Sequence, residues 1–148
     1  YVENLSSFFR NIVTYKDKDT IKLSEEIRIV KAFYFIQQKR FGSNLQLVID
    51  EHSMYDEKNV VPMVLQLLLE NAIKHNEVSK EKKLKVHVSF SGSEIVISNN
   101  INLKLNKDES TGTGLRNIIA RYRLLTDKTV QIESSQDYFV VSLPLIDI

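Results

Sequence analysis

The stretch NVVPMVLQLLLENAIKHNE, Asn59 to Glu77, decides how the fold is read. Apolar residues at Val60, Val61, Val64, Leu67, Leu68, Ala72 and Ile73 come close to the spacing of a helix with one buried face. Asn59 is placed to cap the start, and Pro62 falls in the first turn, where its missing N–H is tolerated. A long helix is therefore expected over 59–77. Its end turns polar, with Glu70, Asn71, Lys74, His75 and Asn76 close together. Asn71, Lys74 and His75 are spaced i, i+3 and i+4, which predicts neighbouring surface positions. An amide or carboxylate suits a hydrated Mg²⁺, and an ammonium suits a phosphate. A helix that simply surfaces at its end would carry the same residues, so the helix alone leaves both readings open.

Upstream, Tyr1 to Lys16 has the apolar stripe of a helix (Val2, Leu5, Phe8, Phe9, Ile12, Val13), ended by the polar run Lys16–Thr20. Ser24-Glu25-Glu26-Ile27 then has the form of a second helix start, running to about Arg40. That helix shows two apolar stripes, Ile27, Val30, Tyr34 and Gln37 beside Ile29, Phe33 and Ile36, which predicts packing on two partners or on a second chain. Gly42 can supply the left-handed turn that stops it. Downstream the period changes to two. Strands are expected at Leu45–Asp50, Leu84–Ser91 and Glu94–Asn99, the last two joined by a turn at Ser91-Gly92-Ser93. The connection from Asn100 to Thr111 has no periodicity. A helix from Gly114 to about Leu125 follows, then strands at Thr129–Ser134 and Tyr138–Leu145. Consecutive hairpins with interspersed helices give an α+β class with a one-sided sheet covered by helices.

The 148 residues fit one domain with a helical appendage, and 43% hydrophobic with 26% charged residues is an ordinary globular balance. A net charge of +1 gives no footprint for nucleic acid. The basic run Lys80–Lys85 reads as a solvated loop leading into a strand. With no cysteine there is no disulfide framework, thiolate zinc site or thiol nucleophile. No apolar run approaches the roughly 18 residues of a membrane helix. His52, His75 and His87 are scattered, without the spacing of a zinc site.

A second informative stretch is Ser110-Thr111-Gly112-Thr113-Gly114-Leu115. Two of the chain's four glycines lie here, directly before a helix. Such glycines let backbone N–H groups approach an anion at the positive helix end, though a capped helix start has the same pattern.

Together the two stretches point further. Asn71-Ala72-Ile73-Lys74-His75 resembles the N box of sensor histidine kinases, and Gly112-Thr113-Gly114-Leu115 resembles their G2 box. The LytS-like subgroup is matched by Leu23-Ser24-Glu25-Glu26, by Ile36 to Gly42 (IQQKRFG), by Val61 to Gln66 (VPMVLQ), and by Gly114-Leu115-Arg116-Asn117 with Arg121. The resemblance covers nearly the whole chain. It implies the GHKL (Bergerat) fold, a two-layer α/β sandwich with a mixed sheet of about five strands covered by helices and preceded by N-terminal helices. It divides the chain into residues 1–41, the end of the dimerisation and junction helices, and 42–148, the ATP-binding catalytic domain.

The same resemblance implies ATP and Mg²⁺ as cofactors. Asn71 matches the metal-coordinating Asn. Lys74 and His75 match positions near the phosphates and sugar, and Glu70 can polarise the attacking group or hold a metal-bound water. Thr111, Gly112, Thr113, Gly114 and Leu115 match the lid base, and Ile101–Thr111 the lid. There are two departures. The family's adenine-reading Asp is replaced by Asn99, and both glycines of that box are missing. A neutral acceptor in place of a charged one weakens adenine binding by on the order of 1 kcal/mol. No histidine stands in a phospho-acceptor context. The implied function is the catalytic domain of a two-component sensor kinase, transferring the ATP γ-phosphoryl group to a histidine upstream and unable to autophosphorylate alone. The alternative is a degenerate nucleotide sensor or pseudokinase acting as an interaction module. An ATPase of DNA repair or chaperone type fits worse, because its catalytic Glu would fall at Leu67. The implied partners are the upstream acceptor helix, a response regulator and a second copy in a homodimer. The implied setting is the cytoplasmic side of a membrane-anchored bacterial protein.

Overall fold

The computed structural model describes residues 19–51, 53–104 and 113–147. The helix expected at Tyr1–Lys16, His52, Thr111, Gly112 and most of the expected lid lie outside the described residues. In chain order the elements are β1 (Ile21–Lys22), α1 (Leu23–Phe41), β2 (Leu45–Ile49), β3 (Asn59–Val60), α2 (Val64–His75), β4 (Leu84–Ser91), β5 (Glu94–Asn100), α3 (Thr113–Leu125), β6 (Gln131–Ser134) and β7 (Tyr138–Pro144). The main sheet has five strands in the order β2-β4-β5-β7-β6. β2 runs parallel to β4, and every other pair is antiparallel. A mixed sheet results. The expected α+β class with about five strands is what the chain forms.

Alternation decides which face is covered. On β4, Leu84, Val86 and Val88 are buried while Lys85 is exposed, and on β5 Ile95, Ile97 and Asn99 are the buried set. Val141 and Leu143 continue that face on β7. Against it lie Leu65, Leu68 and Leu69 of α2 with Ile118 and Tyr122 of α3, in one continuous core. Each fully buried large apolar side chain contributes about 1.5–3 kcal/mol. The other face is polar: His87 on β4 pairs at 3.0 Å with Asp50 and is half-exposed, the bland strand histidine its alternation suggests.

α1 shares this core. Leu23, Ile27, Ile29, Val30 and Phe33 are buried in it, and the Tyr34 hydroxyl donates to the Leu45 carbonyl at 3.1 Å. Both apolar stripes of α1 are thus largely engaged within the chain, leaving Phe35 as its exposed large apolar residue. The division drawn at residue 42 falls between two elements of one core. Gly42, at φ 59°, ends α1 as its freedom from a Cβ permits.

The expected helix over 59–77 is shorter than its periodicity suggests. Asn59–Val60 is a strand, paired with Ile21–Lys22, and the helix begins at Val64. Pro62 biases Val61 toward an extended backbone, and Met63 follows at φ 69° and ψ 11°, in the left-handed region. Asn59 caps nothing. Its backbone N–H and carbonyl both bond to Ile146 instead. A left-handed Met costs about 1–2 kcal/mol, so something must hold Met63 there. Glu26 of α1 does. Fully buried, its carboxylate accepts from the N–H of Met63 and of Leu65, each at 2.9 Å.

Candidate nucleotide site

The far end of α2 divides two pockets. On one side a cavity of about 210 Å³ is lined by Leu68, Asn71, Ala72, His75, Asn76, Asn99, Ile101, Leu103, Ser134 and Phe139. On the other, a groove of about 490 Å³ between α1 and α2 is lined by Glu70, Ile73, Lys74, Glu77 and Val78, with Phe33, Gln37, Arg40, Phe41, Asn76 and Lys104. A residue in a helix is turned about 100° from its neighbour, so Asn71 and His75 share one side while Glu70 and Lys74 share the next. The structure therefore brings Asn71, His75 and Asn99 together and sets Glu70 and Lys74 apart from them.

The cavity is an apolar slot with amides at its edges. Leu68, Ala72, Ile101, Leu103 and Phe139 give walls suited to a flat ring, and among the described residues the lining includes no Asp, Glu, Lys or Arg. Among the described residues the Asn71 amide has no hydrogen-bond partner. Asn99, on β5 opposite Phe139 of β7, is buried; its Nδ2 donates to the Asn100 carbonyl at 2.9 Å, and among the described residues its Oδ1 has no partner. The amide so held presents an acceptor, as a carboxylate would.

The floor of the cavity is pinned by side-chain amides. Asn76 ends α2: its Nδ2 donates to the Ala72 carbonyl at 2.9 Å, and its Oδ1 accepts from the Asn102 N–H at 2.7 Å. The Nδ2 atoms of Asn100 and Asn102 both donate to the Lys83 carbonyl, at 2.9 and 3.0 Å. The N–H of Lys85 donates to Asn100 Oδ1 at 2.7 Å. Side-chain amides thus fix residues 100–102, which brings Ile101 and Leu103 to the cavity. In sequence Asn76 stands only as part of the polar helix end, although an Asn directly after a helix is a recognisable terminus signal. Phe139, Ser134 and Leu103 carry no chemical signal at all.

The G2-like residues do other work within the described chain. Thr113 opens α3. Gly114 lies against α2: a Cβ there would meet Leu67 Cδ2 at 3.1 Å and Cδ1 at 3.3 Å. Leu115 packs on the core. Neither Gly114 nor Leu115 is among the described residues that line the cavity.

An oxygen-ligated Mg²⁺ keeps several waters and needs only one or two protein ligands beside substrate phosphates. The Asn71 amide fits that requirement, and among the described residues there is no cluster of three or more His, Cys, Asp or Glu that would hold a metal alone. No described helix is long and apolar enough to cross a membrane.

Comparison with known proteins bears on the family and the fold. A family model described as histidine kinase matches residues 1–45, ending where β2 begins. The sensor protein LytS of Enterococcus faecalis is 32% identical over 133 residues, spanning 79% of this chain and 23% of that protein. The sensor histidine kinase/phosphatase LytS of Staphylococcus aureus is 32% identical over 85 residues, 57% of this chain and 15% of that protein. The chain therefore spans less than a quarter of the curated relatives it matches. Among solved structures, the catalytic domain of histidine kinase ThkA superposes with a TM-score of 0.55 at 15% identity, covering 86% of this chain and 97% of that one. The cytoplasmic segment of histidine kinase QseC gives 0.56 at 13% identity, over 87% and 78%.

Proposed function

The chain is a LytS-like sensor histidine kinase region with the fold of the kinase catalytic domain, and on that premise we propose that it binds ATP·Mg²⁺ and donates the γ-phosphoryl group to a histidine upstream in the same protein. The observation that carries the reading is the convergence of Asn71, His75 and Asn99 on one cavity. The base lies in the apolar slot, with Asn99 Oδ1 accepting from its exocyclic amine. Asn71 supplies an oxygen to Mg²⁺, which when bound neutralises phosphate charge. His75 faces the sugar and phosphates at the α2 end of the slot.

Glu70 and Lys74 act from the neighbouring groove, which meets the cavity at Asn76. Their proposed roles, polarising the attacking imidazole and holding phosphate, require the phosphate end to reach that side. Thr111 and Gly112 are proposed to bind the phosphates together with the N-terminus of α3, where backbone N–H groups favour an anion. In the whole protein the partners are the acceptor helix, a response regulator and a second copy, with residues 1–41 joining the dimerisation stalk to the catalytic domain on the cytoplasmic side of a membrane anchor.

The test is phosphoryl transfer from labelled ATP to the acceptor helix, supplied in trans as a separate polypeptide. Acid-labile phosphohistidine that disappears with Asn71→Ala supports the kinase. Nucleotide binding without any transfer supports the second reading, a sensor module without kinase activity, which the replacement of a carboxylate by Asn99 favours.

A further inference from the structure

Glu26 is a fully buried carboxylate that nothing in the proposed chemistry uses. It belongs to α1, within the 1–45 segment matched by the kinase family model. Its two oxygens hold the N–H groups of Met63 and Leu65, in the strained turn and first turn of α2, which has no side-chain cap of its own. α3 reaches the same point. Tyr122 is buried there, its hydroxyl accepting from the Val61 N–H at 3.5 Å, and the Arg121 guanidinium acts on Glu26 electrostatically in favour of the ionised form. Arg121 and Glu26 both belong to motifs of the sequence, and the fold sets them at one junction.

We propose that Glu26 is a positioning residue: it caps α2 from the preceding helix, and so fixes the height and rotation of Asn71 and His75 at the other end. The physical case is one of leverage. α2 is a 12-residue rod, about 18 Å long, and its start is held by a carboxylate from another helix rather than by a local Ser, Thr or Asp. Because Met63 sits in the left-handed region, release of its N–H lets the turn relax, and the rod moves as a unit. The same contact links residues before the sheet to the cavity. The part concerning Asn71 and His75 rests on the nucleotide reading above; the capping and its propagation do not.

The test compares wild type, Glu26→Ala and Glu26→Gln by amide hydrogen exchange and by titration with MgADP. Glu26→Gln keeps the size and one acceptor, so it carries the comparison if Glu26→Ala does not fold. Expected are faster exchange at Met63 and Leu65 together with changed exchange at 71–76. MgADP affinity is expected to fall at least about fivefold in the folded Gln variant, and further in the Ala variant. Exchange changes confined to 63–66, with wild-type affinity in the folded variants, would overturn the proposal. Failure of wild type to bind MgADP would sink the nucleotide reading alone, since exchange at 71–76 still decides whether Glu26 positions α2.

Discussion

The two pockets beside α2 differ in kind. The described lining of the cavity holding Asn71 and His75 is apolar and amide-edged, whereas the groove holding Glu70 and Lys74 has three cations (Arg40, Lys74, Lys104) and two carboxylates (Glu70, Glu77). Adjacent residues of one short motif are thus divided between a place suited to a flat, uncharged ring and a place suited to a charged group. The difference teaches that a motif read along a helix states residue types, while the rotation of the helix states which surface each one serves.

The sharpest way to break that contrast is to remove the cavity's oxygen ligand. Asn71→Ala is expected to weaken Mg²⁺-dependent ATP binding by about a hundredfold or more, against about tenfold for Lys74→Ala, as read by calorimetry. Equal losses would erase the distinction between the two sides. Next in size is the scaffold that separates them. Leu69 is fully buried, so Leu69→Ala should cost about 2–5 kcal/mol of unfolding free energy in urea. A loss below about 1 kcal/mol would mean that α2 is not seated as described.

The helix that walls the groove, α1, carries a pH dependence of its own. Burial pushes the Glu26 carboxyl up to about 7 from 4.5, against the opposing pull of its two backbone hydrogen bonds and Arg121. Between those values the folded chain holds a proton that the unfolded chain has released. Its contribution to stability is therefore full below 4.5 and is lost as pH rises through about 7. Glu26→Gln should flatten that limb of the urea-midpoint profile; an unchanged slope would assign the dependence elsewhere. The smallest expected effect is at Asn99→Asp. A charged acceptor strengthens adenine binding by less than about tenfold, because the Nδ2 bond to the Asn100 carbonyl is exchanged for repulsion. A larger gain would show that this bond does little to orient the native amide.

Much of the fold is legible in the sequence, for a physical reason. Alternation at Leu84–Asn99 and the apolar face of α3 report burial directly, since each side chain's polarity is set by the face it occupies. Asn59–Val60 misleads because Val-Val-Pro-Met-Val satisfies helical spacing while Pro62 and Met63 build a turn. Glu26 cannot be placed by its neighbours in sequence: its partners lie at Met63 and Leu65. For the site, the residue types are legible and their grouping is not. Spacing at i+3 puts Lys74 beside Asn71, but the groove between α1 and α2 takes that side of the helix. Gly114 reads as part of an anion loop, whereas its missing Cβ also admits Leu67.

The most direct test of the nucleotide site is a ¹⁵N-edited NMR titration with MgADP. Saturable shifts are predicted at the side-chain amides of Asn71 and Asn99 and at the backbone of His75 and Phe139, with smaller ones at Gln37, Glu77 and Val78 across the helix. Shifts centred on the groove residues, or none at either set, would contradict it.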